Sequence, residues 1–105
     1  MKIAMPFAEG RLAELSDDCD RFTIVDVDLT EKRILDSCRT EPDAEWLGQL
    51  AAWLAEQAVD LVIAVEVSPQ MKTDLMERNI RIVAGALDDS PHSLIKSYLA
   101  GDLDR

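Results

Sequence analysis

The stretch that decides the fold is Leu61-Val62-Ile63-Ala64-Val65-Glu66-Val67-Ser68-Pro69. Its first five residues are all apolar, which predicts a strand that is covered on both faces of a sheet. Ser68 then supplies an N-cap, and Pro69 suits the first turn of a helix. A buried strand that leads directly into a helix is typical of α/β proteins, in which ligands usually bind at the carboxyl ends of the strands.

The rest of the chain extends this alternation on both sides. Alternating or continuous apolar patterns predict strands over 2–7, 22–29, 33–38 and 80–84, with a polar loop over 8–21 and a short turn near 12–15. Helical spacing predicts one helix that begins at a cap at Thr40 or Asp43 and runs to residue 59, and two more that begin at Ser68 and Ser90. The expected order is β-β-β-α-β-α-β-α, an α/β fold with a five-stranded mixed sheet flanked by helices.

Length and charge limit the possible functions. A chain of 105 residues is expected to form a single domain over 1–105 with one modest core. Its 21 acidic and 11 basic residues give a net charge of −10, which disfavours nucleic acid and anionic membranes as partners. No apolar run approaches the roughly 18 residues of a membrane span and the N-terminus lacks a signal-peptide pattern, so we expect a cytoplasmic protein.

The two cysteines, Cys19 and Cys38, form no CxxC pair and are too few for a disulfide scaffold. Cys38 falls near the end of a predicted strand, where a free cysteine is expected to be a small buried apolar residue. Cys19 lies among Asp17, Asp18 and Asp20, whose charges should raise the pKa of its thiol. Both cysteines are therefore predicted to be structural or incidental rather than reactive.

Familiar catalytic motifs are absent from the sequence. There is no glycine-rich phosphate loop, no G-x-S-x-G elbow, and His92 is the single histidine. Asp26 and Asp28 share one face of a predicted strand and could hold a cation or act as an acid–base pair, but we favour solvated carboxylates beside a hairpin. Trp46 and Trp53 could form a stacking platform, although their position beside a leucine stripe favours core packing.

Glu66 is the most interesting acid, because it follows the predicted central strand by one residue. The helix that begins at Ser68 leaves the N–H groups of Gln70 and Met71 open to an anion or to Ser68 itself. Glu66 could be that acceptor or a ligand-binding group. The favoured interpretation is a loop carboxylate that the helix dipole stabilises.

Five sequence blocks in order carry a resemblance to a known family: MKIAMPF (1–7), RFTIVDVD (21–28), LAEQAVDLVIA (54–64), NIRIV (79–83) and SLIKSYLAGDL (93–103). Over nearly its whole length the chain resembles the dinitrogenase iron–molybdenum cofactor biosynthesis family, which includes the cluster-binding orange protein. The resemblance implies a ribonuclease-H-like fold. It also implies a non-catalytic protein, related to nitrogen fixation, that binds or escorts iron–molybdenum or related metal–sulfur clusters.

The resemblance also implies where a cluster would bind. The family's ligand surface gathers the loop after the first strand, the start of the first helix and the loop after the fourth strand, which gives the candidate cofactor-binding residues Cys19, Gly48, Gln49, Val65, Glu66 and Ser68. The Ser-x-x-Phe-Gly motif of the family is replaced by LAELSDDCDRF (12–22). The family's IAGGVGP is replaced by IAVEVSP (63–69), so Val65, Glu66 and Ser68 stand where three glycines are usual.

Three functions remain open at this stage. The first is a carrier of an iron–molybdenum or other metal–sulfur cluster. The second is a divergent member with no cofactor that acts by protein–protein contact. If the altered site instead takes a different ligand, Cys19, Glu66 and the nearby acids could together bind a bare metal ion. The third, a ribonuclease-H-like nuclease, is disfavoured because the first strand has no metal-binding carboxylate. We expect no enzyme activity, and either a monomer or a weak dimer.

Overall fold

The computed structural model describes residues 1–8, 11–12, 14–15, 21–42, 49–85 and 91–100. Six strands and three helices follow one another in these ranges. The strands are β1 (Lys2–Ala8), β2 (Arg11–Leu12), β3 (Phe22–Asp28), β4 (Arg33–Thr40), β5 (Leu61–Ile63) and β6 (Arg81–Val83). The helices are α1 (Leu50–Glu56), α2 (Pro69–Glu77) and α3 (Pro91–Leu99).

The sheet has the order β4-β3-β1-β5-β6, and the short strand β2 pairs with β1. β5 and β6 run parallel to β1, whereas β3 runs antiparallel to both β1 and β4. Helices α1 and α2 provide the crossovers that parallel pairing requires. The predicted five-stranded mixed sheet with flanking helices is confirmed, and β2 is an addition to it within the segment that was predicted to be a loop.

Helices cover the central strands on both faces of the sheet. Ala4 and Val62 face α1 and α2, and the core on that side includes Trp53, Leu54 and Leu75. Ile3, Leu61 and Ile63 belong to the opposite core, which α3 covers with Leu94 and Ile95. The apolar run from Leu61 is therefore buried because β5 lies in the middle of the sheet with helices on both sides.

Several elements end differently from the sequence prediction. β3 stops at Asp28, and Leu29, in the turn that follows, is 53 % exposed. On α2, Met76 lies on the outer side and is 68 % exposed. Thr40 is not a helix cap, since β4 continues through it. Asp43, Trp46 and Ser90 lie outside the described residues.

Cys38 was predicted to be buried, and this was wrong: its side chain is exposed. The reason is topological, because β4 is the end strand of the sheet order and most of its residues are exposed. None of the helices in the described ranges is long and apolar enough to cross a membrane.

Candidate functional site at the carboxyl edge of the sheet

Three connections meet at the carboxyl ends of β1, β5 and β6. We call this place the carboxyl edge and define it by Leu15, residues 64–68 and Gly85. Leu15 and Val67 form a parallel bridge, with the Leu15 N–H donating to the Glu66 carbonyl at 2.7 Å and the Ser68 N–H donating to the Leu15 carbonyl at 3.1 Å. The Gly85 N–H donates to the Val65 carbonyl at 2.7 Å. The loops after β1 and β6 are thus both attached to the loop after β5.

Ser68 caps α2 as the sequence predicted. Its Oγ accepts from the Met71 N–H at 3.3 Å, and its carbonyl accepts from the Lys72 N–H at 2.9 Å. Pro69 has no N–H to offer. Of the two open donors that the sequence predicted, Met71 is therefore satisfied by Ser68, and only the Gln70 N–H remains for an anion at this end of the helix.

Two predicted site residues project from the carboxyl edge. Val65 is 39 % exposed and Glu66 is exposed. Val67, which pairs with Leu15, is buried. Val65 was predicted to be the last residue of the central strand, but β5 ends at Ile63 and the chain bends there. The side chains that replace the family's glycines therefore face solvent at the carboxyl edge and do not fill a core position.

The remaining candidates are not brought to this place by the described residues. Gln49 is exposed at the N-cap of α1, where its carbonyl accepts from the Trp53 N–H at 3.0 Å. Cys19 and Gly48, together with Asp17, Asp18 and Asp20, lie outside the described residues. The expectation that they share a site with Glu66 stays a prediction.

The described part of the carboxyl edge offers few metal ligands. Across the described ranges, no group of three His, Cys, Asp or Glu side chains is placed to hold a metal ion. Glu66 supplies a carboxylate here, and thiolates are the ligands that iron–sulfur clusters use. Among the described residues, no cysteine lies at this edge, since Cys38 belongs to β4.

Gly85 and Leu15 are features of the edge that the sequence analysis missed. Gly85 has a φ of +82°, and no atom of the described residues lies within 4 Å of a Cβ built on it. The sequence signal was present, since a glycine that ends a parallel strand often marks a close approach of backbone or ligand. The sequence carried no comparable signal for Leu15, because its segment is polar and acidic.

The acids Asp26 and Asp28 serve the backbone and the chain terminus. Asp28 Oδ1 accepts from the Thr30 N–H at 2.8 Å and from the Glu31 N–H at 3.1 Å, which shapes the turn between β3 and β4. Asp26 Oδ1 lies 3.5 Å from the amino group of Met1. These contacts give each carboxylate a structural role. They do not correspond to an acid–base pair.

A separate depression of about 240 Å³ lies on the α1 face of β3 and β4. Its lining includes side chains from three strands and the end of α1, namely Lys2, Ile24, Asp26, Asp36, Cys38, Thr40 and Gln57. The lining runs along the strands from Lys2, at the start of β1, to Thr40, whose partner Phe22 pairs with Pro6 of β1. It lies on the β3 and β4 side of β1, whereas β5 lies on the other side. Cys38 therefore belongs to a different region from Val65 and Glu66.

Comparison with known proteins identifies the family. The structure is similar to that of PH0822, with a TM-score of 0.84, 15 % identity, and coverage of 99 % of this chain and 94 % of that one. It is also similar to a candidate dinitrogenase from Methanocaldococcus jannaschii, with a TM-score of 0.78, 20 % identity, and coverage of 99 % and 92 %. These identities show a shared fold alone.

A search of curated protein sequences found no match. The family model described as dinitrogenase iron-molybdenum cofactor matches residues 1–101 of this chain. Because that match spans nearly all of the sequence, the chain belongs to the dinitrogenase iron–molybdenum cofactor family.

Proposed function

We propose that this protein is a non-catalytic carrier that binds an iron–molybdenum or related metal–sulfur cluster at the carboxyl edge. Family membership supports the cofactor class. The observation that carries the location is the attachment of Leu15 to Val67, which joins the loop after β1 to the loop after β5. Gly85 lies at the same place, and no atom of the described residues would contact a Cβ there.

Cys19 supplies the thiolate in this proposal. It follows Leu15 by four positions in the sequence, and Leu15 is fixed to the carboxyl edge by two backbone hydrogen bonds. Glu66 opposes an anionic cluster by charge repulsion, which water screens because the carboxylate is exposed. The proposed affinity is therefore weaker than that of a site with glycine at position 66, as suits a protein that passes its cargo on.

The second candidate function is protein–protein contact without a cluster. The observation that favours it is that backbone groups of the carboxyl edge are already used: the carbonyls of Val65 and Glu66 accept hydrogen bonds, and the N–H of Ser68 donates one. The exposed side chain of Val65 then offers an apolar contact beside a charge. Such a surface suits a protein partner with an apolar and basic face.

The test is anaerobic reconstitution of the full chain with iron, sulfide and molybdate, followed by desalting, visible spectroscopy and metal analysis. Three variants are compared with the unmodified protein: Cys19→Ser, Cys38→Ser and Glu66→Gly. We expect visible absorbance that survives desalting in the unmodified protein and in Cys38→Ser. We expect its loss in Cys19→Ser and a higher metal content in Glu66→Gly.

Cys38→Ser is the matched control, because Cys38 is an exposed thiol at the far end of the sheet order from β5 and β6. Absorbance that depends on Cys38 and not on Cys19 would contradict the proposed location. If the unmodified protein and the Glu66→Gly variant are both folded but remain colourless and metal-free, cluster binding is contradicted and the protein-contact function is favoured.

A further inference from the structure

The outer side of β4 presents a regular set of backbone donors and acceptors. The Phe7 N–H donates to the Arg21 carbonyl at 3.1 Å, and the Val27 N–H donates to the Met1 carbonyl at 2.9 Å. Because bonding direction alternates along an antiparallel strand, the odd-numbered residues of β3 bond β1 and the even-numbered residues bond β4. Their partners Asp36, Cys38 and Thr40 therefore bond β3. Ser37 and Arg39 direct their N–H and C=O groups away from the sheet.

Other contacts agree with this orientation. The Ser37 N–H donates to the carboxylate of its own neighbour, Asp36, at 2.8 Å, as expected for a donor that β3 does not use. No strand in the described ranges pairs with the outer side of β4, which ends the sheet order. An exposed edge of this kind is a template for pairing with another strand.

A bulge limits which part of this edge is regular. Asp26 pairs with Asp36, whereas Val27 pairs with Ile34, so Leu35 is skipped and lies at the bulge. Bulges of this kind interrupt pairing on an edge. The uninterrupted segment is 36–40, and Cys38 stands at its centre.

We propose that segment 36–40 is a homodimer interface, in which β4 of one copy pairs antiparallel with β4 of a second copy about a two-fold axis through Cys38. In this register Asp36 faces Thr40 of the second copy and Ser37 faces Arg39. The Ser37 N–H exchanges its bond to the Asp36 carboxylate for one to the Arg39 carbonyl of the second copy, and the Arg39 N–H donates to the Ser37 carbonyl. Cys38 faces Cys38 in the closely spaced, non-hydrogen-bonded position. The two copies form one continuous sheet.

The sequence of segment 36–40 selects this register over the neighbouring ones. In a two-fold antiparallel pair, odd-numbered residues of one copy must lie opposite odd-numbered residues of the other, because their backbone N–H and C=O groups point away from the sheet. Shifting the centre to Asp36 or to Arg39 places like charges directly opposite each other, which is destabilising. Shifting it to Ser37 brings the bulged Leu35 opposite Arg39. Centring on Cys38 places each charged side chain opposite a hydroxyl group that can hydrogen-bond it.

Local charge also favours self-association at this strand. Each copy carries a net charge of −10, so most faces of the molecule repel a second copy. Segment 36–40 carries one acid and one base, Asp36 and Arg39, and so has no net charge of its own. Segment 36–40 therefore adds little to the charge repulsion between two copies of the protein.

The test uses two opposite substitutions at Ser37, which is exposed. Ser37→Asp places a carboxylate opposite Arg39 twice in the dimer, whereas Ser37→Arg places like charges there twice. Sedimentation equilibrium of the full chain under reducing conditions should show a reversible dimer. We expect its dissociation constant to fall in Ser37→Asp and to rise in Ser37→Arg, each by about two- to thirtyfold.

These substitutions separate the proposed register from non-specific charge effects. Ser37→Asp makes each copy more acidic and Ser37→Arg makes it less acidic, so general repulsion predicts the reverse order. A weaker dimer in Ser37→Asp than in Ser37→Arg would overturn the proposal. So would a monomer for both the unmodified protein and Ser37→Asp at concentrations up to about 1 mM, the range of weak association.

A cross-linking experiment tests the position of the axis. Cysteines in the non-hydrogen-bonded position have Cα atoms about 4.5 Å apart, within the range that a disulfide spans. In a Cys19→Ser background, the two Cys38 thiols lose two protons and two electrons to added diamide and form one S–S bond. We expect a disulfide dimer whose formation is faster with Ser37→Asp and slower with Ser37→Arg. Rates of disulfide formation that are the same with and without the two Ser37 substitutions would contradict an axis at Cys38.

Discussion

The carboxyl edge and the outer edge of β4 differ in what their backbones have left to offer. At the carboxyl edge, the loops bond one another through Leu15, Glu66 and Ser68, and Gly85 bonds Val65. At β4, Ser37 and Arg39 direct their backbone groups away from the sheet. The first region can bind a partner mainly through side chains, whereas the second can bind through the main chain. The carboxyl edge, where the family resemblance places the ligand, therefore has fewer unused backbone groups than the outer side of β4.

The largest expected effect comes from truncating a leucine in each of the two regions. Leu15 is fully buried at the carboxyl edge and Leu35 is 53 % exposed at the bulge of β4. We expect Leu15→Ala to lower the free energy of unfolding by about 2–5 kcal/mol, because it removes buried methyl groups and leaves a cavity. Leu35→Ala should change it by at most about 0.5 kcal/mol. Urea denaturation followed by tryptophan fluorescence measures both values.

Equal losses in the two variants would show that burial does not distinguish the regions. A loss in Leu15→Ala that also abolishes cluster reconstitution, at a temperature where the variant remains folded, would further support the carboxyl edge as the site. Leu35→Ala is the control for that measurement, since Leu35 lies on β4 at the other end of the sheet order.

Much of the fold was predictable from the sequence, because apolar patterns follow burial. The run from Leu61 indicated a central strand, and the structure places β5 between β1 and β6 with helices on both faces. Ser68 and Pro69 indicated the start of α2, and the hydrogen bond from the Met71 N–H to Ser68 Oγ is present. These features are local, so neighbouring residues were enough to predict them.

Features that depend on distant contacts were harder to predict. Cys38 looked like a buried residue because the sequence of β4 does not reveal that this strand ends the sheet order and that most of its residues are exposed. The bond between Leu15 and the loop after β5 joins residues about fifty positions apart, and nothing in the acidic segment around Leu15 indicates it. The carboxyl edge shows the same division. Glu66 and Ser68 were predicted to follow the central strand and they do, although β5 ends two residues earlier than predicted, whereas the hydrogen bonds of Leu15 and Gly85 to this loop were not predicted.

A second comparison concerns backbone conformation on two sides of the molecule. Gly85, at the carboxyl edge, has a φ of +82°, and Ala58, which follows α1, has a φ of +60°. Left-handed backbone costs a residue with a Cβ roughly 1–2 kcal/mol, and glycine avoids this cost. Gly85→Ala should therefore lower the free energy of unfolding by about 1–2 kcal/mol, although the added methyl group meets no atom of the described residues. Ala58→Gly should raise it by about 0.5–1 kcal/mol.

Urea denaturation of both single variants and of the double variant checks these values. The two positions lie far apart in the fold, so the effects should add in the double variant. A stable Gly85→Ala variant would mean that the backbone at residue 85 relaxes to negative φ, and the hydrogen bond from the Gly85 N–H to Val65 would then be lost or remodelled.

The smallest expected effect concerns Ser68, where the family usually has glycine. Ser68→Ala removes the acceptor for the Met71 N–H, and loss of an N-cap of this kind costs about 1 kcal/mol. Ser68→Gly should cost only a few tenths of a kcal/mol, because glycine leaves the N–H groups accessible to water. Ser37→Ala is the control, since Ser37 is an exposed serine on β4 that caps no helix. Thermal unfolding at a dilute, monomeric concentration provides the ranking.

If the loss of stability is largest in Ser68→Ala, smaller in Ser68→Gly and smallest in Ser37→Ala, the serine at position 68 serves mainly as a helix cap. Ser68→Gly then frees the Met71 N–H beside the open Gln70 N–H without a large loss of stability, and these two donors are what an anionic cluster would need at the start of α2. Better cluster retention in Ser68→Gly than in Ser68→Ala is not expected from this capping role, because both variants free the same donor. Such a difference would instead indicate that the ligand approaches the backbone closely enough to exclude a Cβ at position 68.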